Sequence, residues 1–378
     1  MKIVAVYYQY PLYENGSYIQ EQIDAFCERA EKVTLFATYS PKGSKFKKPK
    51  NLEIVWVRGS KIPFITDIIF NFSIIFHFVR LGKIQADIIN VICARGIPAG
   101  IFLRSKLKKP LVVTVEIINE VEKSFRDKIF NRLQKFLFTR KSIDGFICWS
   151  HYHFNRYLKK WGISQKRVSF IPGGINLELF NPKVSGREIR KKYIGEAKKL
   201  IVFAKPMYEY NRKSAELLLE AFALMPKKSE TKILFGSGEQ RDLLEKRIIE
   251  LKLQKYIDFM EFVPLSEIPK YLAAADLIVL PFTYHATTAR SLLEAMSMRK
   301  PIIATKMGEI PKVIGDKEAI LVKPRKTDLQ QAMKKLLSNS KLAKTLANGG
   351  YKLVQEKYAI NAVSKRTIDY FQKIIDEF

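Results

Sequence analysis

Short apolar, β-branched runs alternate with amphipathic stretches along most of the chain, and midway the pattern stops and starts again. "KIVAVYY", "KVTLFAT", "LEIVWVR", "ADIINVIC", "PLVVTVE" and "DGFICWS" read as strands. Helical stretches stand between them, over about 17–31, 62–83, 99–106 and 123–142. Nearly continuous apolar strands alternating with helices predict a parallel sheet covered on both faces. A polar stretch over 181–199, "NPKVSGREIRKKYIGEAKK", interrupts the pattern. It restarts with "KLIVFAK", "KILFGSG", "IDFMEFV", "LIVLPFT", "KPIIAT" and "EAILVKP". Helices are expected over about 214–224, 240–251 and 266–274, around Glu294, and from the last strand to the end. The fold class is therefore α/β, with two doubly wound parallel-sheet domains over 1–182 and 195–357. Ligands of such sheets gather at the carboxyl ends of the strands, and a cleft between two of them is the expected site.

The 378 residues, 47% of them hydrophobic, suffice for two buried cores. The formal net charge is +29, spread over both halves. Such a field suits nucleic acid, acidic lipid headgroups or phosphorylated substrates, and its plainer meaning is a lysine-rich, well-solvated surface. No aromatic–basic RNA motif and no basic recognition helix is present, so no nucleic-acid partner is expected. Cys27, Cys93 and Cys148 are scattered, which speaks for a reducing compartment over a disulfide framework. Met1 leads straight into a strand, so no signal peptide is expected. The apolar segment 62–83 is marginal in length for a membrane span and carries Asp67 inside it. Two readings stay open for it: a core-packed crossover helix, or an interfacial helix flanked by Lys61, Arg80 and Lys83.

Several catalytic signatures are missing. No G-x-x-x-x-G-K-[ST], no G-x-G-x-x-G after the first strand, no H-x-x-x-H and no C-x-x-C occurs. ATPase, dinucleotide and transition-metal chemistry are thus disfavoured, and no metal site is expected. His151 and His153, two apart, read as surface or packing residues. Lys205 follows a strand, and Arg212 and Lys213 stand just before the expected helix at Ser214. Cations at a strand's carboxyl end suit a phosphate-bearing ligand, though a solvated loop would look the same. Past "HATT", Thr287 or Thr288 could cap a helix whose free N–H groups seat an anion. Glu294 lies about two turns in, where an Arg290–Glu294 pair on one helix face is the plainer reading.

The order of motifs in the second half resembles GT-B glycosyltransferases, in particular the large retaining family 4. "FIPGGINLELFNP", "KSAELLLEAFALM", "ILFGSGEQRDLLE", "IDFMEFVPLSEIPKYLAAADLIVLPF" and "LLEAMSMRKPIIATKMGEIPKVI" follow in family order. The likeness is strong over about 165–335 and holds in outline before that. It implies a GT-B fold, with the last helix, about 358–378, packed back on the first domain. It implies transfer of a sugar from a UDP- or GDP-linked donor, with retention, needing no cofactor and no metal. Lys205 and Lys213 match the family's diphosphate-holding Arg/Lys pair, and Glu294 the second acid of its E-x7-E pattern, which grips the ribose. Phe262 and Val263 stand where the family's backbone meets the base, and Gly16 in the loop that approaches the donor. Two positions depart from the family. Ala286 replaces the first acid, and Glu116, an acceptor-only group, replaces a His that touches the donor sugar; Glu120 follows nearby. Both changes lie on the sugar side, so an unusual donor sugar, impaired catalysis, or a site rebuilt by Glu116 and Glu120 is expected. The apolar helix and the positive field point to a lipid-linked or membrane-surface glycan acceptor. The expected location is cytoplasmic, peripheral on the inner face of an anionic membrane.

Overall fold

The structure is a computed structural model that describes residues 1–10, 18–39, 48–59, 65–82, 84–92, 94–116, 125–226, 228–284 and 290–378. It divides into two compact units, Met1–Gly174 with Ile360–Phe378, and Ile175–Ala359.

The first unit is built on seven parallel strands: β1 (Lys2–Tyr10), β2 (Lys32–Tyr39), β3 (Leu52–Val57), β4 (Ile88–Ile92), β5 (Leu111–Val115), β6 (Gly145–Cys148) and β7 (Val168–Phe170). Their order is β3-β2-β1-β4-β5-β6-β7, so the winding reverses between β1 and β4. The period-2 pleat sends alternate residues of β1 to opposite faces. Ile3 and Ala5 pack under the helices Tyr18–Cys27 and Ile360–Glu377, with Phe26 edge-on to Phe371 at 6.0 Å. Val4 and Val6 pack under the helices Ile65–Leu81 and Ile97–Leu107. The chain's last helix thus belongs to the first unit. Tyr370 fastens it: its hydroxyl accepts from Phe146 N (3.2 Å) and donates to Arg167 O (3.0 Å). Burial pushes this phenol up to about 12.

The second unit has six parallel strands: β8 (Lys199–Phe203), β9 (Thr231–Phe235), β10 (Ile257–Phe259), β11 (Leu277–Leu280), β12 (Ile302–Thr305) and β13 (Ile320–Val322). Their order is β10-β9-β8-β11-β12-β13, reversing between β8 and β11. Leu200 and Val202 face a core shared with Leu292, Leu293 and Met296, while Ile201 and Phe203 face the helices Glu209–Ala223, Arg241–Glu250 and Lys326–Ser338.

One expectation needs correction. The first domain does not run to 182, because Ile175 and Phe180 are buried in the second unit's core beside Leu200 and Ile278. The polar stretch 181–199 belongs to the second unit as well. It holds the helix Arg187–Tyr193, anchored where Arg190 donates to Asp276 Oδ2 (2.7 Å) and Ala274 O (3.0 Å). The charge-assisted bonds of Arg190 and the packing of Ile189 and Tyr193 on the second unit's core together hold that helix, which its many charged residues concealed in the sequence. Within Ile65–Leu81, Phe70 and Ile74 are buried, while Phe72, Phe76 and Val79 are 68%, 62% and 69% exposed.

Tyr370→Phe should destabilise the protein by about 1–3 kcal/mol in urea unfolding, since two backbone groups lose their partner. An unchanged midpoint would mean that the hydroxyl does not fasten the helix.

Candidate functional site

The second sheet reverses between β8 and β11, and the loops leaving those strands carry the groups of interest. Lys205 stands two residues past β8. Its Nζ lies 3.3 Å from Ser291 Oγ and 5.2 Å from the centre of the Phe282 ring, just past β11. No described carboxylate is in ion-pair contact with it. Burial pushes its ammonium down to about 8, while the charge of Glu294 pulls the other way. A buried cation without a contacting anion costs free energy unless an anion arrives to pair with it.

Two glycines let the Lys205 loop sit where it does. A Cβ at Gly236 would drive into the Lys205 carbonyl oxygen, and one at Gly238 would stand 2.7 Å from Met207 N. With hydrogen there instead, the loop after β9 lies directly on the loop after β8. Met207 N donates to Ser237 O and Gln240 N to Met207 O, both at 2.9 Å. From the other side, Tyr284 Oη donates to Asn211 Oδ1 (3.0 Å), and Asn211 Nδ2 donates to Pro206 O (2.6 Å). Thr283 N donates to Ser214 Oγ (3.2 Å). Burial holds the Tyr284 phenol well above its ordinary range, so it stays a donor. These bonds tie the loop after β11 to the loop after β8.

The helix in this region begins at Glu209, not at Ser214. Arg212 N already reaches back to Tyr208 O (3.0 Å), so Arg212 and Lys213 sit inside the helix. Lys213 is exposed. Arg212 pairs with Glu216 one turn on, and its buried Nε has no hydrogen-bond acceptor among the described residues. Glu294 is buried in the helix Arg290–Ser297. Arg290 Nε donates to its Oε1 at 2.8 Å, so the same-face pair is present. No described residue donates a hydrogen bond to Oε2. Phe262 is 90% exposed in the loop after β10, and Val263 beside it packs partly on the core. Both stand at the sheet's edge strand, two strands from β8.

In the first unit, Glu116 stands one residue past β5. Burial pushes its carboxyl up to about 7. It is therefore not acceptor-only, because near neutrality a good part of it carries a proton and donates. Gly16, Glu120, Ala286, Thr287 and Thr288 lie outside the described residues. His151 stacks on Phe170 at 3.9 Å, and buried His153 has Nδ1 3.1 Å from Ser150 Oγ. Among the described residues, no group of three or more His, Cys, Asp or Glu could hold a metal ion.

Sequence reasoning missed Ser291, Tyr284 and Asn211. Ser291 stands three before Glu294, the spacing that shares a helix face, and that signal could have found it. For the other two only the polarity of Asn211 inside a helix hinted at a structural partner.

Two parallel-sheet units of this kind, each with its polar groups at the strand ends beside a winding reversal, define the GT-B class. Residues 185–353 match the family model of glycosyl transferases group 1, and residues 16–179 that of glycosyltransferase family 4. The chain belongs to the family 4 type of GT-B glycosyltransferases. It is 26% identical over 215 residues to an uncharacterised glycosyltransferase of Methanocaldococcus jannaschii, covering 55% of this chain and 54% of that one. It is 23% identical over 230 residues to the UDP-Gal:α-D-GlcNAc-diphosphoundecaprenol α-1,3-galactosyltransferase of Escherichia coli, covering 60% and 54%. The chain thus spans about half the length of the curated relatives it matches. Among solved structures, the Anabaena protein HepE in complex with UDP superimposes with a TM-score of 0.78 at 16% identity, over 99% of this chain and 100% of that one.

Gly236→Ala should displace the Lys205 loop and cost about 1–3 kcal/mol of stability, as overpacking does. Gly315→Ala, whose added Cβ meets only the Glu318 carboxylate at 3.4 Å, is the control. Equal melting temperatures for the two variants would refute the close packing of these loops.

Proposed function

We propose that the protein transfers a glycosyl group from a nucleoside diphosphate sugar to a hydroxyl of an acceptor at an anionic membrane surface. The observation that carries this reading is Lys205, a half-buried ammonium with no carboxylate of the described residues in contact, at the winding reversal of the second sheet. In the reaction the bond from the anomeric carbon to the β-phosphate oxygen breaks. A bond to the acceptor oxygen forms, and the acceptor's proton is released. Negative charge grows on the departing diphosphate, and a fixed, partly desolvated cation stabilises it without reorganising. Lys205 fills that role with Lys213, so no divalent ion is required. As a lysine, Lys205 lacks the two-pronged grip of an arginine. Glu294, whose Oε2 accepts no hydrogen bond from the described residues, takes the ribose hydroxyls, and the exposed ring of Phe262 with Val263 takes the base. Gly16, Thr287 and Thr288 complete the donor contacts by resemblance. That HepE is solved with UDP supports a uridine donor. Retention of configuration is the family's outcome, and we assign it here.

Glu116 is the group we place at the donor sugar. At neutral pH its carboxyl is partly protonated, so it donates as the family's His does. Turnover should then fall as pH rises through about 7, where the donor proton is lost. Glu116→Gln, a permanent donor, should keep activity and flatten that limb of the pH profile. A Glu116→Gln protein that is inactive but folded would assign the carboxylate a different role.

The membrane part rests on two helices. The outward stripe Ile65, Ile68, Phe72, Phe76 and Val79 is apolar, and so is Ile129, Leu133 and Phe136 on the helix Phe125–Phe138. The helix Ile97–Leu107 packs against both. Exposed Lys128, Arg132, Lys135 and Arg140 flank the second stripe, with Arg140 over the Phe136 ring at 3.9 Å. Apolar stripes bordered by cations suit the headgroup boundary of an anionic bilayer. No described helix is long and apolar enough to cross one. The E. coli relative, named for a diphosphoundecaprenol-linked substrate, supports a lipid-linked acceptor.

Glu294→Ala should weaken UDP or GDP binding by about 1–3 kcal/mol through lost charged hydrogen bonds. Unchanged nucleotide affinity would sink the ribose assignment. The protein should float with anionic liposomes and be released in part by salt. Replacing Phe72, Phe76 and Val79 by Ser should abolish flotation without unfolding the chain, because all three are exposed. Flotation that survives the triple change would rule this helix out as the contact.

A further inference from the structure

A run of four aromatic rings leads outward from the Lys205 ammonium. The first is Phe282, whose ring centre is 5.2 Å from Lys205 Nζ. Tyr284 stands 5.7 Å from it and nearly perpendicular, and Tyr210 stands 5.3 Å from Tyr284, again nearly perpendicular. Tyr208 lies 5.9 Å from Tyr210, tilted by 39°. Edge-to-face pairs at such distances are a favoured arrangement of rings. Exposure rises along the run: Phe282 is 2% exposed, while Tyr208 and Tyr210 are 40% and 53% exposed.

The two outer rings stand on a fixed backbone. Tyr284, which braces Tyr210, donates from its hydroxyl to Asn211 Oδ1 (3.0 Å), on the residue next to Tyr210. Tyr208 N donates to Pro206 O (2.9 Å), and Asn211 N and Arg212 N both reach back to Tyr208 O (3.0 Å). Tyr208 thus opens the helix Glu209–Ala223, and Met207 before it is fully buried. Half-exposed rings held in advance lose little freedom when a ligand settles on them. Burial and the neighbouring Tyr208 hold the Tyr210 phenol above its ordinary range, so at neutral pH it stays an uncharged donor. The five residues after Tyr284, His-Ala-Thr-Thr-Ala over 285–289, include no carboxylate.

We infer that Tyr208 and Tyr210 form a platform on which the hexose ring of the sugar nucleotide lies, stacked by its C–H face. The inference rests on the placement of the diphosphate at Lys205 and deepens it. A sugar carried on that diphosphate is tethered within a few bonds of the ammonium, and both tyrosines belong to the loop and helix start that follow Lys205. A pyranose turns several axial C–H bonds to one face. Those hydrogens carry partial positive charge, and the face of an aromatic ring is negative. The phenol hydroxyls, as donors and acceptors, meet the sugar hydroxyls at the rim of the platform. Recognition by ring faces replaces recognition by a carboxylate, and the site lies wholly in the second unit.

The test is calorimetric titration of the full chain with UDP, GDP, UDP-glucose, UDP-galactose, UDP-N-acetylglucosamine and GDP-mannose. For the sugar nucleotide that binds most tightly, Tyr210→Leu and Tyr208→Leu should each weaken binding by about fivefold or more, while the matching nucleoside diphosphate binds as it does to the wild type. Tyr210→Phe, which keeps the ring, should retain most of the affinity. A loss confined to the sugar nucleotide is one that a distorted Lys205 loop would not produce. Equal sugar-nucleotide affinity in the wild type and both leucine variants overturns the platform. A parallel loss of the nucleoside diphosphate overturns it too, because the tyrosines then only shape the loop. If neither UDP nor GDP binds the wild type, the diphosphate reading itself fails and this inference falls with it.

Discussion

Parallel pairing is the constraint from which everything else follows. When every strand of a sheet runs the same way, all the carboxyl ends lie along one edge, and the loops that leave them share that edge. A reversal of winding order then parts two neighbouring loops, because each heads for an opposite face of the sheet. This chain does so twice, between β1 and β4 and between β8 and β11. The first gap gathers Tyr8, Asp67 and Arg95, and the second gathers Lys205, Phe282 and Ser291. Neither set is contiguous in sequence.

The second gap is costly to build. It holds an ammonium partly out of water, beside a ring and a hydroxyl, and the carboxylate whose charge acts on it, Glu294, is already engaged by Arg290. Such a group stays in place only if the loop around it is over-determined. Gly236 and Gly238 let one backbone lie on another, and the Tyr284–Asn211–Pro206 chain of hydrogen bonds holds the opposite side. In the role proposed for Lys205 that rigidity matters, since a cation fixed in advance stabilises developing charge without reorganising during the reaction.

Legibility in the sequence followed the physics of each feature. The alternation of apolar runs and helices made both sheets readable, because burial on two faces leaves a continuous apolar signature. Glu294 and Lys205 were readable as candidates from their places after a strand and in a helix, and from the resemblance. Features held by single polar bonds were not. The helix Arg187–Tyr193 is anchored by Arg190 reaching Asp276, many residues away, as well as by Tyr193 in the core. The early start of the helix at Glu209 depends on Tyr208 and Asn211. The proton-donating character of Glu116 arises from burial, which only the folded chain reveals. The segment 62–83 was ambiguous for a physical reason, since both faces of its helix are apolar and only the inner one is covered.

The central claim is that Lys205 is the cation that receives the diphosphate. In the free protein its ammonium titrates near 8, lowered by burial. Below that value the proton is already present and binding takes up none there. Above it, a bound diphosphate favours the charged form, so binding must draw a proton from solution, and UDP itself, ionised well below that range, supplies none. Calorimetry of UDP binding at about pH 9, in two buffers of different ionisation enthalpy, reads that uptake directly. The account predicts uptake approaching one proton in the wild type and little in Lys205→Arg, whose guanidinium never loses its charge. Uptake that is absent in the wild type, or identical in Lys205→Arg, would contradict it.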